Sequence, residues 1–363
     1  MAKKQHKATR VEYAASVIPG VEEIAGQEIG TRCENAQIVE KRRGWVVFRY
    51  GGHAADLLKL RTTEDVFAIL YRTAALPPYR KGAIPLLTRM AGNSRYWDQA
   101  LACFHQVRRR SVHRVTFRVI AQMTGKHGFR RQEVRDAVRS GVQSRWDKWK
   151  QVADDAHLEI WTPIIANWAL IAIRLSGSKM RHRTYKKAHR PASLRPTLAA
   201  AMVMLSRPRL SDRFCDPMCG AGTILAERVL AGPYHVLIGG DADAEAVQAA
   251  MSNLSYGTEC GLYLWDARSL PLRSGSLDAV VCNLPFGEKV GSHVDNPMLY
   301  DLFFQQLIRV LRAGGRAVLL SGEKELMHQL LGRYPQLEHK REILIGVLGQ
   351  AARIYVLSRK SSP

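Results

Sequence analysis

The chain has 363 residues, 46% of them hydrophobic, which is enough for two or three folded domains and argues against an intrinsically disordered protein. Its formal net charge of +22 is concentrated in the front half. Residues 1–190 hold 36 Lys and Arg against 16 Asp and Glu, whereas residues 191–363 hold 18 against 16, a pattern that favours a polyanionic partner such as nucleic acid.

Neither membrane insertion nor secretion is expected. The most apolar stretch, Ile160–Leu175, is interrupted by polar residues and is too short to span a bilayer. The basic leader Met1–Arg10 precedes no signal-like apolar segment. The six cysteines form no C-x-x-C pair, which indicates a reducing, cytoplasmic location and no metal site. Cys215 and Cys219 are therefore interpreted as small packing residues.

The first 84 residues predict a small α+β domain. Strands are expected at Tyr13–Pro19 and Gly44–Tyr50, and helices at Val21–Ile29 and His53–Leu60. A strand, helix, strand order followed by a helix is typical of a small α+β sandwich.

Residues 85–180 predict a second domain. Its expected elements are a mostly helical Gly82–Cys103, a strand at Arg114–Ala121, a helix at Arg131–Trp149 and strands at His157–Trp161 and Trp168–Leu175. Phe117 and Val119 fall on the apolar face of the first strand, and Trp97 and Phe104 are expected in the core.

Basic side chains are dense in and after this segment. The candidates for nucleic-acid contacts are Arg108, Arg109, Arg110, Lys126, Arg130, Arg131, Arg135, Arg181, Arg183, Lys186 and Lys187. Any one of them alone is typical of a solvated helix face. Together they indicate a surface that follows a phosphate backbone, and binding to such a surface weakens steeply with salt.

The back half alternates strands with helices. A linker helix is expected within residues 181–206, with Pro196 in its first turn. Strands are expected at Arg213–Cys215, Val236–Gly240, Leu262–Trp265, Leu277–Cys282, Arg316–Leu320, Ile343–Val347 and Ala352–Leu357. Helices are expected from Thr223 and at Ala244–Leu254, Pro297–Leu311 and Glu323–Leu331. This order predicts a mostly parallel, doubly wound sheet whose last two strands are antiparallel.

Acidic residues end the first three of these strands, and they indicate a nucleoside ligand. Asp241 is placed to accept both hydroxyls of a ribose, and Asp266 to accept from an adenine amino group. Asp216 is placed to accept from an ammonium group beside a Gly-rich turn. Leu225 stands where a dinucleotide motif has its third glycine, and no G-K-[ST] is present, so S-adenosylmethionine fits better than a dinucleotide or a triphosphate. The predicted cofactor contacts are Asp216, Met218, Cys219, Gly220, Ala221, Gly222, Thr223, Asp241, Ala242, Asp266, Ala267 and Asn283.

The fourth strand leads into Asn283-Leu284-Pro285-Phe286, the predicted catalytic loop. It resembles the [DNS]-P-P-[FYW] signature of amino methyltransferases, with Leu284 in place of the first proline. Hydrogen bonds from an exocyclic amine to the Asn283 side-chain oxygen and the Leu284 carbonyl would localise the nitrogen lone pair. Phe286 would stack on the base.

Two family resemblances follow from these motifs. Thr116–Gln122, the following Gly125–Arg131, the helix Glu133–Val138 and Leu175-Ser-Gly resemble the THUMP domain, an RNA-binding module. The whole chain resembles the THUMP-containing tRNA guanosine-N2 methyltransferases, on Asp216–Thr223 and on Asn283–Gly287 followed by Gly291-Ser-His.

The resemblance implies a fold and a division of the chain. A ferredoxin-like domain (1–84), a THUMP domain (85–180), a linker helix (181–206) and a Rossmann-like methyltransferase domain (207–363) are expected. Ser193, Arg195 and Thr197 match a segment that closes the cofactor pocket in relatives. A monomer that forms N2-methylguanosine in the tRNA acceptor stem, at position 6, is implied.

Two other functions remain open from the sequence. Methylation of 23S ribosomal RNA would use the same chemistry, and a silent RNA-binding protein would keep the domain without its activity. Variants of the Asn283 motif also occur in adenine-N6 enzymes, so the target base stays open at this stage, as does mono- versus dimethylation.

Overall fold

The computed structural model describes residues 11–108, 114–188, 190, 193–254, 258–286, 294–347 and 350–361. Its contacts divide the chain into two compact units. The first contains Met1–Ser16, Gly26–Leu60 and Asp65–Gly177, and the second contains Val17–Ala25, Arg61–Glu64 and Ser178–Pro363. Two short segments of the front half thus belong to the same unit as the back half, which the sequence did not predict.

The described strands of the first unit form one continuous sheet. They are β1 (Val11–Val17), β2 (Gln37–Arg42), β3 (Trp45–Tyr50), β4 (Thr63–Thr73), β5 (Thr116–Thr124), β6 (Lys150–Gln151), β7 (Leu158–Ile165) and β8 (Trp168–Arg174). Their order is β2-β3-β1-β4-β8-β7-β5-β6. The helices are α1 (Glu22–Arg32), a 3₁₀ helix (Ala54–Lys59), α2 (Arg80–Asn93), α3 (Trp97–Val107) and α4 (Arg131–Arg145).

The apolar run Trp168–Arg174 explains the middle of this sheet. Every residue of β8 is buried, as expected of a strand covered on both faces. Antiparallel pairing of β8 with β4 joins the strands predicted for the first domain to those predicted for the second. The described strands on both sides of residue 84 share this one sheet. A division into two domains at residue 84 therefore stays a prediction.

Several predicted elements differ in extent from the observed ones. The helix predicted to reach Trp149 ends at Arg145, where the rings of Trp146 and Trp149 stack at 4.9 Å and the chain turns into β6. The predicted Gly82–Cys103 helix is two helices, α2 and α3, separated at Ser94–Tyr96. There the Ser94 hydroxyl donates to Leu70 O and accepts from the Tyr96 N–H. Strands β2 and β4 were not predicted. Trp97 and Phe104 are buried as predicted.

The second unit is built on a seven-stranded sheet. Its strands are β9 (Arg213–Asp216), β10 (Val236–Asp241), β11 (Gly261–Leu264), β12 (Leu277–Asn283), β13 (Leu311–Ser321), β14 (Leu337–Val347) and β15 (Gln350–Arg359). Its helices are α5 (Lys179–His182), α6 (Pro196–Leu205), α7 (Thr223–Leu230), α8 (Ala244–Asn253), α9 (Asn296–Val310) and α10 (Lys324–Arg333). The strand order is β11-β10-β9-β12-β13-β15-β14, with β15 antiparallel to both neighbours. The predicted doubly wound sheet with a final antiparallel pair is confirmed.

Alternating side chains of β12 supply a core on each face of this sheet. Val281 belongs to a core cluster with residues of α6, α7 and α8, whereas Val280 and Cys282 belong to another with residues of α9 and α10. The chain order reverses between β9 and β12, and a sheet of this kind opens a crevice at that point, beyond the carboxyl ends of the strands.

A buried carboxylate on α7 ties the front segment Arg61–Glu64 to this unit. Glu227 has a fully buried side chain and accepts hydrogen bonds from Arg61 Nε (2.7 Å), Tyr185 Oη (2.7 Å) and Arg183 Nε (3.4 Å). Burying a carboxylate is costly unless it is paired, and two guanidinium groups provide that compensation. None of the helices in the described ranges has the length and apolar character needed to cross a membrane.

The buried pair Asp65–Arg174 should carry stability in the first unit. Asp65 accepts from Arg174 Nε (2.8 Å) and from the Ser176 hydroxyl (2.7 Å). Asp65→Ala leaves a buried guanidinium short of a partner, and we expect it to lower the free energy of unfolding by about 3 kcal/mol. Urea unfolding monitored by tryptophan fluorescence measures this, because six of the seven tryptophans lie in this unit.

Asp154 provides the control. Its side chain is 85% exposed although it pairs with Arg118 at 3.0 Å. Asp154→Ala should therefore cost less than about 1 kcal/mol. Equal, small losses for the two variants would contradict the assignment of stability to the buried pair.

Candidate active site

The crevice at the reversal point collects the polar ends of three neighbouring strands. Asp216 ends β9 and lies level with Gly239 of β10, while Cys215 lies level with Val280 of β12. Asp241 and Asn283 therefore each extend two residues beyond Asp216, one on either side. Asp216 forms the base of the crevice and the other two flank it.

The Gly-rich turn after β9 is fixed against β10. Gly220 and Gly222 have φ of +51° and +72°, the left-handed region that favours glycine. The Gly220 N–H donates to Asp241 Oδ2 (2.8 Å), and the Cys219 N–H donates to Gly240 O (2.9 Å). A Cβ on Gly220 would meet open space, so its backbone is accessible to a ligand.

Asp241 is oriented by the backbone. Its Oδ2 accepts from Gly220 N–H and its Oδ1 from Asp243 N–H (3.1 Å). A carboxylate oxygen has more than one acceptor site, so both oxygens can still accept from a pair of ribose hydroxyls. Ala242 beside it is exposed.

The residue directly after β11, Trp265, was not identified from the sequence. Trp265 is buried, its indole N–H donates to Pro217 O (3.0 Å), and a Cβ on Gly240 would lie 2.3 Å from its ring. The indole therefore requires glycine at 240 and braces the Gly-rich turn. Its position directly before Asp266 was the available signal.

Asp266 is a partly exposed carboxylate two residues beyond the end of β11. It pairs with Arg268, whose Nη2 lies 2.6 Å from Oδ2, and this hydrogen bond lowers the pKa of the Asp266 carboxyl. An adenine amino group would share this acceptor with Arg268. Ala267 is buried next to it.

At the end of β9, Asp216 carries a buried oxygen atom without a hydrogen-bond partner. It is 1% exposed, and burial raises the pKa of its carboxyl well above the usual range, although Met218 N–H and the Cys282 thiol donate to it. Its Oδ1 has no hydrogen-bond partner. An ammonium group bound here would complete the hydrogen bonding and favour the charged carboxylate.

Asn283 carries another such atom. Its Oδ1 is buried and has no hydrogen-bond partner. Leu284 explains the departure from the proline motif: its N–H donates to Leu320 O (2.9 Å), which a proline cannot do, and its side chain is buried. The loop thus continues the pairing of β12 with β13 while it presents a free acceptor at its first residue.

The remainder of the predicted catalytic loop is held by residues that the sequence did not identify. Pro285 O accepts from Tyr300 Oη (2.7 Å) and from Asn296 Nδ2 (3.1 Å), and both side chains are fully buried. The ring of Phe286 packs on Gly322, where a Cβ would lie 3.2 Å from the ring. Asn296 and Tyr300 stand four residues apart on α9, a helical spacing that carries no motif of its own.

The segment predicted to close the pocket is partly occupied by contacts within this unit. Thr197 donates from its hydroxyl to Glu64 Oε1 (2.7 Å), and Arg195 Nη1 lies 3.3 Å from Glu64 Oε2. Ser193 Oγ is buried with no hydrogen-bond partner. Contact of these three residues with a cofactor stays a prediction. Of the other predicted contacts, Cys219, Ala221 and Thr223 are buried and Met218 is half-buried.

The basic residues predicted to bind RNA fall into different environments. In the first unit, Lys126, Arg130, Arg131 and Arg135 are exposed at or just before the start of α4. Arg108 is half-buried and donates to Ser176 O (2.8 Å). Arg109 and Arg110 lie outside the described residues, as do Gly287 and Gly291–His293 of the quoted motif.

Two predicted RNA contacts in the second unit have structural partners instead. Arg183 has an 8% exposed side chain paired with Glu227, because that buried carboxylate needs a cation. Lys186 Nζ donates to Leu194 O (2.9 Å), and burial lowers the pKa of both side chains. Lys187 is exposed and Arg181 is half-exposed. Within the described ranges, no three His, Cys, Asp or Glu side chains are grouped so that they could hold a metal ion.

Comparisons with known proteins agree with this geometry. The family model described as "UPF0020: RMKL-like, methyltransferase domain" matches residues 183–348. The tRNA (guanine(6)-N(2))-methyltransferase THUMP3 of Mus musculus is 32% identical over 67% of this chain and 51% of its own length. The tRNA (guanine(6)-N2)-methyltransferase of Thermus thermophilus is 29% identical over 67% of this chain and 72% of its own.

The coverage of these relatives is unequal. The chain spans about half the length of the mammalian relatives that it matches. The crystal structure of TrmN from Thermus thermophilus superposes with a TM-score of 0.78, at 24% identity, over 96% of this chain and 99% of that one. This structural likeness shows the fold, and it confirms the Rossmann-like architecture predicted for the back half.

The buried carboxyl of Asp216 predicts a pH-dependent stability. Burial raises its pKa in the folded state, whereas the unfolded chain titrates near the ordinary 3.8. The group therefore opposes folding increasingly as the pH rises above about 4. Asp216→Asn should stabilise β9 and β12 at pH 7, and the gain should vanish near pH 4, as measured by the urea dependence of amide exchange.

Asp278 at the opposite end of β12 supplies a control of opposite sign. Burial alone would raise the pKa of the Asp278 carboxyl. Hydrogen bonds from the Arg213 N–H and from Arg312 outweigh that effect and hold this pKa below its usual value. Asp278→Asn should therefore destabilise at pH 7, with the loss shrinking as the pH falls towards the folded-state pKa. An Asp216→Asn effect that does not change with pH would contradict the account.

Proposed function

We propose that the chain uses S-adenosylmethionine to methylate the N2 amine of a guanosine in tRNA, an activity consistent with the match of residues 183–348 to the model of an RMKL-like methyltransferase domain. The observation that carries this proposal is the pair of buried, unpartnered oxygens at the crevice, Asp216 Oδ1 and Asn283 Oδ1. Each could accept a hydrogen bond from a ligand, and both lie beside the predicted adenosine site.

The crevice residues would hold the cofactor as follows. Asp241 accepts the ribose hydroxyls, Asp266 accepts the adenine amino group, and Asp216 accepts the methionine ammonium. The open backbone at Gly220 lets the ligand approach closely. When bound, S-adenosylmethionine supplies an electrophilic methyl group on a sulfonium sulfur.

Asn283 and Leu284 would prepare the amine. A guanine N2 amine is a poor nucleophile because its lone pair is delocalised into the ring. Donating its hydrogens to Asn283 Oδ1 and to Leu284 O localises that lone pair towards the methyl group. Both acceptors would hold the amine nitrogen towards the methyl group that S-adenosylmethionine would supply, and the proton that the amine loses on methylation would pass to water. Phe286 stacks on the base, and its ring is fixed against Gly322.

The first unit would deliver the RNA. Along the chain, we assign residues 1–84 to a ferredoxin-like domain and residues 85–180 to a THUMP domain. Residues 181–206 are assigned to a linker and residues 207–363 to the methyltransferase domain. The exposed side chains of Lys126, Arg130, Arg131 and Arg135 near the start of α4 provide positive charge that suits phosphate binding. The proposed enzyme acts as a cytoplasmic monomer.

The names of the relatives support tRNA as the substrate and guanine 6 as the target, and we propose that this guanine lies in the acceptor stem. Transfer of a tritiated methyl group to purified tRNA or to ribosomal subunits, followed by nucleoside analysis, tests this choice. Labelled N2-methylguanosine in tRNA alone is expected. Label in ribosomal RNA would favour the second substrate, and no transfer to either, with no S-adenosylmethionine binding by calorimetry, would leave a silent RNA-binding protein.

Two variants separate the steps of the reaction. Asn283→Ala should keep the binding of both ligands and lower kcat by about 10²–10³-fold, because it removes an acceptor for the reacting amine. Asp241→Ala should abolish S-adenosylmethionine binding in calorimetry and retain RNA affinity in a filter-binding assay. Normal turnover by Asn283→Ala, or equal loss of both ligands in Asp241→Ala, would refute the assigned roles.

A further inference from the structure

Glu323 follows the end of β13, the strand beside the catalytic loop. It is half-buried and occupies the N-cap position of α10, yet its side chain makes no capping hydrogen bond. Capping is the ordinary reason for an acidic residue at that position, and here the carboxylate is directed elsewhere. The residue before it, Gly322, is the one on which the Phe286 ring packs.

The carboxylate of Glu323 is connected to the catalytic loop through one amide group. Asn296 Nδ2 donates to Pro285 O (3.1 Å) and to Glu323 Oε1 (3.0 Å). Because both contacts are to acceptors, the NH₂ group of Asn296 must point this way. The same amide therefore sets the position of Pro285 and of the Glu323 carboxylate relative to each other.

Hydrogen bonds also hold the end of β13, directly before Glu323. Ser321 Oγ accepts from the Glu323 N–H (3.0 Å) and lies 3.0 Å from Tyr300 Oη, which also donates to Pro285 O. Asn296, Tyr300 and Ser321 are each at most 1% exposed. Glu323 is thus the partly exposed member of an otherwise buried network that surrounds the predicted base-binding loop.

Guanine and adenine differ at the ring atom next to the amine-bearing carbon. Guanine has an N1–H donor beside its N2 amine, whereas N1 of adenine is an acceptor. An ionised carboxylate only accepts hydrogen bonds. It therefore attracts the N1–H of a guanine whose N2 amine is bound at Asn283, and it repels the N1 lone pair of an adenine.

We propose that Glu323 accepts the N1–H of the flipped guanine and thereby selects guanine over bases with an unprotonated N1. This inference rests on the proposed function and identifies the residue that determines its base specificity. Asn296 acts as a positioning residue, since its amide holds the carboxylate at a fixed distance from Pro285. Glu323 and Asn283 together read two adjacent groups on the Watson–Crick edge.

The test compares two RNA substrates with the wild-type enzyme and with Glu323→Gln. One is an unmodified tRNA transcript with guanosine at position 6, and the other has 2-aminopurine there, which keeps the N2 amine but has an acceptor at N1. Wild type should prefer guanosine by about 10-fold or more in kcat/KM. Glu323→Gln should reduce this preference at least several-fold, because its amide can donate to N1 of 2-aminopurine, while S-adenosylmethionine affinity stays unchanged.

Glu325→Gln is the matched control, since Glu325 is 82% exposed two residues further along and pairs only weakly with Lys324. It should keep the wild-type preference. An unchanged preference in Glu323→Gln overturns the inference and leaves the proposed function intact. A wild-type enzyme that methylates neither RNA overturns the proposed function itself.

A binding measurement covers a variant that turns over too slowly. Inosine at position 6 keeps the N1–H but lacks the amine, and adenosine lacks the N1–H. Wild type should bind the inosine-bearing competitor more tightly than the adenosine-bearing one, and Glu323→Gln should bind the two equally. Retention of the inosine preference by the variant would overturn the inference.

Discussion

The second unit depends on a carboxyl group buried at the end of its central strand. Asp216 is 1% exposed, burial raises the pKa of its carboxyl, and its Oδ1 has no hydrogen-bond partner. Such a group costs stability unless a ligand compensates for it. Asp216 lies where the strand order reverses, beside Asp241 and Asn283. A ligand with a positive charge that bound there would compensate for the buried carboxyl.

A buried hydrogen-bond network fixes the chemistry on the other side of the crevice. Tyr300 and Asn296 hold Pro285 O, Ser321 joins Tyr300 to the start of α10, and Leu284 pairs with β13. The loop is therefore already oriented, and in the proposed reaction it would require little rearrangement. The same network holds Glu323, so that the proposed base selection would depend on residues that also position the loop.

The site residues that were predicted from the sequence are those with a local signal. The Gly-rich turn, Asp241, Asp266 and the Asn283 loop each follow a strand, and their side chains were predicted from their own neighbours along the chain. Trp265, Asn296, Tyr300 and Glu323 were missed because they act through contacts between distant segments. Arg183 was predicted to bind RNA, since composition cannot show that Glu227 would be buried beside it. Strand β4 was missed, and with it the continuity of the first sheet.

The central claim is that the Asn283 loop directs a methyl group to the N2 amine of guanosine in tRNA. Nucleoside mass spectrometry of tRNA from a strain that lacks this chain, complemented with the wild type or with Asn283→Ala, measures it most directly. The account predicts that N2-methylguanosine is lost without the chain and restored only by the wild type. Unchanged N2-methylguanosine in the deletion strain, or its restoration by Asn283→Ala, would contradict the account.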